Sequence, residues 1–152
     1  MQPGGQVGPE VIDDLDRLVI ERACERLIQL YAFYADHHRH IEMADLFTAD
    51  GVLERGNGAV QGKEKIRQAL EQRRPDAIVR HISSNVIVDV RKPDQASATS
   101  VMTLYRVFGS NEPGQALELP EMVADYHDEF RRMSEGWRIG SRQSVIALRR
   151  DP

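Results

Sequence analysis

The 152-residue chain contains a single cysteine, Cys24, so no disulfide can form within it. Because disulfides are rare in reducing compartments, we expect a cytoplasmic protein. No apolar run approaches the roughly 20 residues that a membrane-spanning helix needs, and we expect no membrane partner. Lysine and arginine number 20 against 24 aspartates and glutamates, a formal charge of -4. Since phosphate binding needs a basic face, nucleic acid is not an expected partner either.

The composition is typical of a globular protein, with 41% hydrophobic and 29% charged residues. This length is sufficient for one domain that buries its own core. Residues 1–10, which open with "MQPGGQVGP", lack the charged start and apolar middle of a secretory signal. We predict a flexible leader there and a single domain over residues 11–150.

The first half of the chain has helical periodicity. Apolar residues recur at intervals of three and four from residue 11 to about 39, which predicts a long first helix. A second, shorter helix is predicted over 41–47, and "TADG" at 48–51 is a turn signal. A short strand is then expected from Val52, and "GKEKIRQALEQRR", from Gly62, predicts a third helix.

The second half is rich in strand-forming residues, in four segments bounded by Pro, Gly, Asn or Asp. The segments are 80–90, 96–108, 121–133 and 136–148. "KPDQ" and "SEG" are predicted hairpin turns, and "GSNEPGQALELP" a loop between strands. Helices followed by antiparallel strands predict an α+β fold. A curved sheet wrapped around the first helix would leave a pocket at their junction.

Several motifs occur in a recognisable order: "YAFYADHHRHIEMADLFTADGV", "VQGKEKI", "RHISSNV", "DYHDEF" and "GWRIGSR". Together they resemble the SnoaL-like branch of the nuclear-transport-factor-2-like (NTF2-like) superfamily, over roughly residues 12–148. The resemblance implies a cone-shaped α+β fold, commonly dimeric, with N-terminal helices packed on a curved, mostly antiparallel sheet. It implies no single activity, because the superfamily includes dehydratases, isomerases, dehydrochlorinases, epoxide hydrolases, polyketide cyclases and non-catalytic subunits.

The resemblance to the dehydratase-like members, such as scytalone dehydratase and bile-acid 7α-dehydratase, implies a set of site residues. In those members an aspartate late in the first helix works with a histidine on the sheet, and Asp36 and His81 match them. Tyr31 matches a tyrosine five residues before the aspartate, and Arg142 matches an arginine after "GWRI". A further acidic or histidine residue expected at about 98–105 is missing, which departs from the dehydratase pattern.

These residue types have a coherent chemistry of their own. An imidazole can accept a proton near neutral pH, and a carboxylate beside it fixes its tautomer and stabilises its protonated form. A tyrosine hydroxyl in an apolar cavity can donate a hydrogen bond to a carbonyl or a departing hydroxyl. The set needs no metal or organic cofactor. One difficulty is geometric, because residues five apart on a helix, as Tyr31 and Asp36 are, point about 140° apart.

We therefore predict a cofactor-independent lyase or isomerase that acts on a hydrophobic ring or polyketide-type small molecule. Tyr105 and Asn85, on two of the predicted strands, join Arg142 as candidate substrate-binding residues. The alternative is a non-catalytic ligand-binding or oligomerisation module. In that case Tyr31 is a core aromatic, Asp36 a helix cap and His81 an ordinary strand residue, while Arg142 is a surface or dimer-contact residue. An epoxide hydrolase would need an Asp-Arg-Asp set that the sequence does not reveal.

Three histidines, His37, His38 and His40, follow Asp36 closely and raise the question of zinc. A zinc site needs a third or fourth ligand, and Cys24 is about 20 Å away along a helix. Histidines near a helix C-terminus interact favourably with its dipole, so we predict no metal and place these three outside the pocket. His127 is predicted to face outward, since it alternates with acidic residues.

The predicted sheet also has apolar side chains on the face away from the first helix, such as Val101, Val107 and Val145. A monomer would leave them in water, and family habit favours a pair of subunits. We therefore expect a homodimer formed through the outer face of the sheet.

Overall fold

The computed structural model describes residues 11–117 and 119–150, so the predicted leader lies outside the described residues. Within these residues there are three helices and six strands: α1 Asp14–Asp36, α2 His40–Asp45, β1 Phe47–Arg55, β2 Gly58–Gln61, α3 Lys63–Glu71, β3 Ala77–Lys92, β4 Gln95–Phe108, β5 Met122–Met133 and β6 Gly136–Arg149. The strands form one sheet in the order β2-β1-β6-β5-β4-β3. Every neighbouring pair is antiparallel except β1 and β6, which are parallel. The predicted α+β class and the curved, mostly antiparallel sheet are confirmed.

Helix α1 covers the concave face of the sheet. It begins where the Asp13 carboxylate caps the backbone N–H of Asp16 at 2.8 Å, three residues later than predicted. Its buried residues recur at three- and four-residue intervals: Ile20, Cys24, Leu27, Ile28, Tyr31 and Ala35. They join one apolar core with the inward-facing residues of β4, β5 and β6. Periodicity therefore predicts the helix but only part of its buried face, since Leu15, Leu18 and Val19 follow the same spacing and are 70%, 61% and 60% exposed.

The predicted hairpin turns are confirmed, since Lys92 pairs with Gln95 and Met133 with Gly136. The predicted turn at 48–51 is wrong. Strand β1 continues through it, although its pairing with β6 is irregular between Phe47 and Val52. A Cβ on Gly51 would lie 3.0 Å from Phe47 Cβ, so glycine permits this close approach. The turn signal marked a local irregularity within a strand.

The β5–β6 hairpin contains a bulge that sets the orientation of later residues. If the pairing of β5 with β6 continued without interruption from Met133–Gly136, Arg142 would lie opposite His127. The register shifts by one residue between Phe130 and Glu129, and Arg142 lies opposite Asp128 instead. Gly140 lies within the shift, where a Cβ would approach the Arg131 side chain to 3.0 Å. Because a one-residue slip moves side chains to the opposite face, the bulge directs Arg142 inward.

The outer face of the sheet leaves several apolar side chains exposed. Ile82 is 52% exposed, Ile87 69% and Val145 45%, and His127 is exposed on the same face as predicted. Val101 and Val107 are partly covered. Among the described residues, no helix is both long enough and apolar enough to cross a membrane.

The single cysteine lies in the core beneath the sheet. Cys24 is fully buried, and burial raises the pKa of its thiol to about 12, with the negative charges of Asp128 and Glu25 adding to the effect. Because the thiolate is the nucleophile, we expect the folded protein at pH 8 to react with a disulfide reagent at least about a hundredfold more slowly than the urea-unfolded chain. Spectrophotometric thiol titration checks this. Equal rates in the two states would contradict the burial.

Candidate active site

A cavity of about 380 Å³ lies between the C-terminal half of α1 and the concave face of the sheet. This volume is in the range typical of small-molecule sites. Most of its wall is apolar, including Ala35, Leu53, Ala77, Val79, Met102, Leu104, Phe108, Met122 and Ile146. Tyr31, His81 and Arg142 also line the cavity, so three of the predicted site residues lie at one place.

Asp36 and His81 are in direct contact. His81 Nδ1 lies 2.6 Å from Asp36 Oδ1, and the His81 backbone N–H lies 3.0 Å from each carboxylate oxygen. Both side chains are nearly buried, at 8% and 9% exposure. Since a carboxylate can only accept, the hydrogen bond assigns the proton to Nδ1. The other ring nitrogen, Nε2, has no hydrogen-bond partner within the described residues and is free to accept a proton.

Asp36 and His81 meet because one lies at the end of a helix and the other lies on an edge strand. Asp36 is the last residue of α1, where the dipole disfavours a negative charge. His81 lies on β3, an edge strand, so its outward backbone N–H has no neighbouring strand to bond. The Asp36 carboxylate accepts hydrogen bonds from both that N–H and the imidazole. These bonds offset the cost of placing its negative charge at the C-terminal end of α1. Asp36 reaches the cavity through His81, whereas Tyr31 faces it directly, so the 140° between them on the helix is no obstacle.

Tyr31 is held from several directions. Its ring packs edge-on against Phe47 and Tyr126, each with a centroid separation of 6.2 Å. The Arg142 guanidinium lies 4.1 Å from the ring centroid of Tyr31 and 4.4 Å from that of Tyr126. Burial raises the pKa of the Tyr126 phenol, so it remains a hydrogen-bond donor. Neither phenol has a hydrogen-bond partner in the described part of the chain, and both line the cavity.

Arg142 is 1% exposed, which overturns the surface or dimer-contact alternative. Its Nε and Nη2 donate to the two oxygens of Asp128 at 2.7 and 2.6 Å. Burial alone would lower the pKa of Arg142, but the Asp128 carboxylate outweighs it and the net direction is upward. Its Nη1 is buried without a partner among the described residues. No second carboxylate in that part of the chain pairs with Arg142, so the epoxide-hydrolase set remains incomplete.

The histidines after Asp36 have separate roles. His38, at φ 55°, is the left-handed residue that ends α1, with Arg39 N–H bonded to Tyr34 O at 2.9 Å. Its Nε2 lies 3.0 Å from Ala77 O, and its side chain lines the cavity, so excluding it from the pocket was wrong. His37 Nδ1 lies 2.7 Å from Phe33 O at the helix end, as the dipole argument predicts. The described residues hold no group of three potential metal ligands.

Tyr105 and Asn85 do not line the cavity, and this corrects their place among the predicted substrate-binding residues. On β4 the even-numbered residues face inward, so Tyr105 lies on the opposite face. Asn85 lies in an irregular part of β3, where the register with β4 shifts, and has φ 50°. Strand alternation predicts the placement of Tyr105, but only the observed strand pairing reveals that of Asn85.

Most of the cationic residues at this site are not among those that the sequence predicts. Arg55, Arg73, Arg74 and Arg106 all line the cavity. Asp128 is not among the predicted residues either, although it shares the inward-facing set of β5 with Tyr126. The alternation along the strand was a usable signal for Asp128. The arginines lie near the ends of two strands and just after α3, so only the tertiary fold brings them together.

Residues 16–143 match the SnoaL-like domain family, and the chain belongs to that family. No curated protein sequence matches it significantly. Its fold is similar to that of a provisionally assigned scytalone dehydratase from Novosphingobium aromaticivorans, with 21% identity, 92% of each chain covered and a TM-score of 0.78. An NTF2-like protein with a cystatin-like fold from the same species has 22% identity, 92% coverage of each chain and a TM-score of 0.72.

A third similar structure is a hexachlorocyclohexane dehydrochlorinase, LinA type 2. It shares 17% identity over 92% of this chain and 98% of its own, with a TM-score of 0.73. At these identities the similarity defines the fold and leaves the activity to be argued from the site.

Proposed function

We propose that residues 11–150 form one domain, a cytoplasmic lyase or isomerase of dehydratase type that needs no cofactor. Its substrate is a small molecule with a hydrophobic ring or polyketide framework that enters the cavity. The observation that carries the proposal is the hydrogen bond between His81 Nδ1 and Asp36, with His81 at the cavity wall. This arrangement orients an imidazole as a general base.

In the proposed reaction, His81 Nε2 removes a proton from a carbon beside a substrate carbonyl. The electron pair of the C–H bond moves into an enolate, and the Asp36 carboxylate stabilises the imidazolium that forms. The Tyr31 hydroxyl donates a hydrogen bond to the enolate oxygen. In a lyase reaction the C–O bond then breaks, and the imidazolium protonates the departing hydroxide to give water. In an isomerase reaction the same proton returns at another carbon.

Arg142 has a supporting role in this proposal. Its guanidinium lies against the Tyr31 ring, and Asp128 holds it in one orientation. The unpartnered Nη1 is a donor for a substrate oxygen, which retains Arg142 as a substrate-binding residue. Two proteins of similar fold are named for elimination reactions, a dehydratase and a dehydrochlorinase, which supports the lyase class.

The first step can be tested before the natural substrate is known. A panel of ring ketones, with and without a β-hydroxyl group, is incubated with the protein in D₂O and analysed by mass spectrometry. We expect catalysed exchange of the proton beside the carbonyl in at least one ring ketone, and loss of water where a β-hydroxyl is present. If the ring ketones bind in the cavity but the proton beside the carbonyl does not exchange, the non-catalytic binding module is favoured.

We also propose that the protein is a homodimer formed through the outer face of the sheet. Light scattering at micromolar concentration should then report twice the chain mass of 17.3 kDa. Ile87→Lys should shift the population toward monomer, because it places a charge on an apolar face. Ile41→Lys, at an exposed position on α2, is the control and should leave the dimer intact. A wild-type protein that is monomeric under these conditions would refute the assembly.

A further inference from the structure

The charges at the cavity are strongly unbalanced for an acidic protein. Five arginines line it, namely Arg55, Arg73, Arg74, Arg106 and Arg142. Of the described residues in direct contact with the cavity, none is an aspartate or a glutamate. The positive charge is therefore concentrated where a ligand would bind, although the chain as a whole carries -4.

Three of these arginines are neutralised by carboxylates outside the lining. Arg142 pairs with Asp128, Arg74 donates to Asp76 at 2.8 Å, and Arg106 donates to Glu121 at 2.8 Å. The remaining two, Arg55 and Arg73, make no side-chain hydrogen bond or ion pair with any of the residues that the structure describes. Both are partly buried. A partly buried cation without a partner is costly, and two such cations at one cavity add to the cost.

The positive charge of Arg73 acts on Arg55 and on the inner wall of the cavity. Burial lowers the pKa of Arg55, the Tyr31 phenol opposes this, and the positive charge of Arg73 lowers the pKa further. Arg73 also opposes the rise in the pKa of Tyr126 that burial causes, so its charge acts toward the cavity interior. A negative ligand group between Arg55 and Arg73 would relieve both desolvation and mutual repulsion.

We propose that the ligand of this cavity carries an anionic group, a carboxylate or a phosphate ester, that binds between Arg55 and Arg73. Arg55 ends β1 and Arg73 follows α3, and both line the same cavity as His81. The anionic group binds between the two arginines, and the apolar ring occupies the remaining, mostly apolar wall. This assignment of substrate class rests on the proposed function, since it takes the cavity as the substrate site.

The test is direct binding with matched aromatic probes of one to three rings, measured by calorimetry. Each ring system is offered as the carboxylate and as the neutral carboxamide, with 2-naphthyl phosphate as the phosphate arm. We expect at least one carboxylate or phosphate to bind about tenfold or more tightly than its neutral counterpart. Raising the salt concentration should reduce this preference. The stronger of the two anionic arms identifies the group.

Arg55→Gln and Arg73→Gln should each reduce the preference for the anion, and the double variant should abolish it. Arg26→Gln makes the same change of charge at an exposed position on α1 and should keep the full preference. Circular dichroism and thermal melting verify that each variant is folded. Equal affinity for acids and amides, no binding of any probe at millimolar concentration, or a preference that survives the double variant would each overturn the proposal.

The experiments test the proposed reaction and the proposed anion site independently. His81→Asn should lower the rate of deuterium exchange by about 10²-fold or more while the preference for the anion remains. An anion preference that depends on both arginines, in a protein without exchange activity, would support the site and refute the reaction. Exchange activity in a protein that binds acid and amide equally well would support the reaction and refute the anion site.

Discussion

Replacement of His81 by asparagine is expected to lower the rate of deuterium exchange by about 10²-fold or more, the scale of general acid–base assistance. The change removes the base and keeps a side chain that can bond to Asp36. Asp36→Asn should cost about 10²-fold, because an amide cannot stabilise the imidazolium. Both losses should appear in kcat with KM little changed, since neither change alters the apolar wall. Tyr31→Phe, which removes one hydrogen bond, should cost about tenfold.

The role of Asp36 has a readout independent of turnover. The His81 Nδ1 proton, bonded at 2.6 Å to a carboxylate, should give a low-field proton NMR signal that Asp36→Asn shifts or removes. Asp89→Asn makes the same charge change on the exposed side of β3, and His127→Asn replaces an exposed histidine. These controls should retain full exchange rates. Wild-type kcat in folded His81→Asn would contradict the proposed mechanism.

The second large effect is on stability. Asp128→Ala is expected to lower the free energy of unfolding by about 3–5 kcal/mol, because it leaves the buried Arg142 cation without its partner. Denaturation in urea, followed by circular dichroism, measures the change. The double variant Asp128→Leu with Arg142→Met should recover most of the loss, since apolar residues of similar size can replace a buried pair.

The matched control breaks an ion pair on the surface. Glu25→Ala removes the partner of Arg22, at 3.4 Å on the solvent-facing side of α1, and should have a far smaller effect than Asp128→Ala. An Asp128→Ala protein as stable as the wild type would show that Arg142 can reach water or another partner. It would also weaken the argument that Asp128 fixes the orientation of Arg142.

Several features could be predicted because they depend on neighbours along the chain. The existence of α1, the two hairpin turns and the outward orientation of His127 follow from periods of 3.6 and 2 and from turn-forming residues. The SnoaL-like motifs correctly identified the family and brought Asp36 and His81 under consideration together. Their direct contact needed a further fact, that β3 is an edge strand beside the end of α1.

The sequence by itself determined the family, the helix that forms the core and the residue types able to transfer a proton. Only the tertiary structure decided which side chains face the cavity. The bulge at Gly140 turns Arg142 inward onto Asp128, because one inserted residue reverses every later side chain in a strand. The packing of α3 on β1 brings Arg55 and Arg73 to a single cavity, although 18 positions separate them. Such long-range placement depends on strand pairing and twist, which no local pattern of residues encodes.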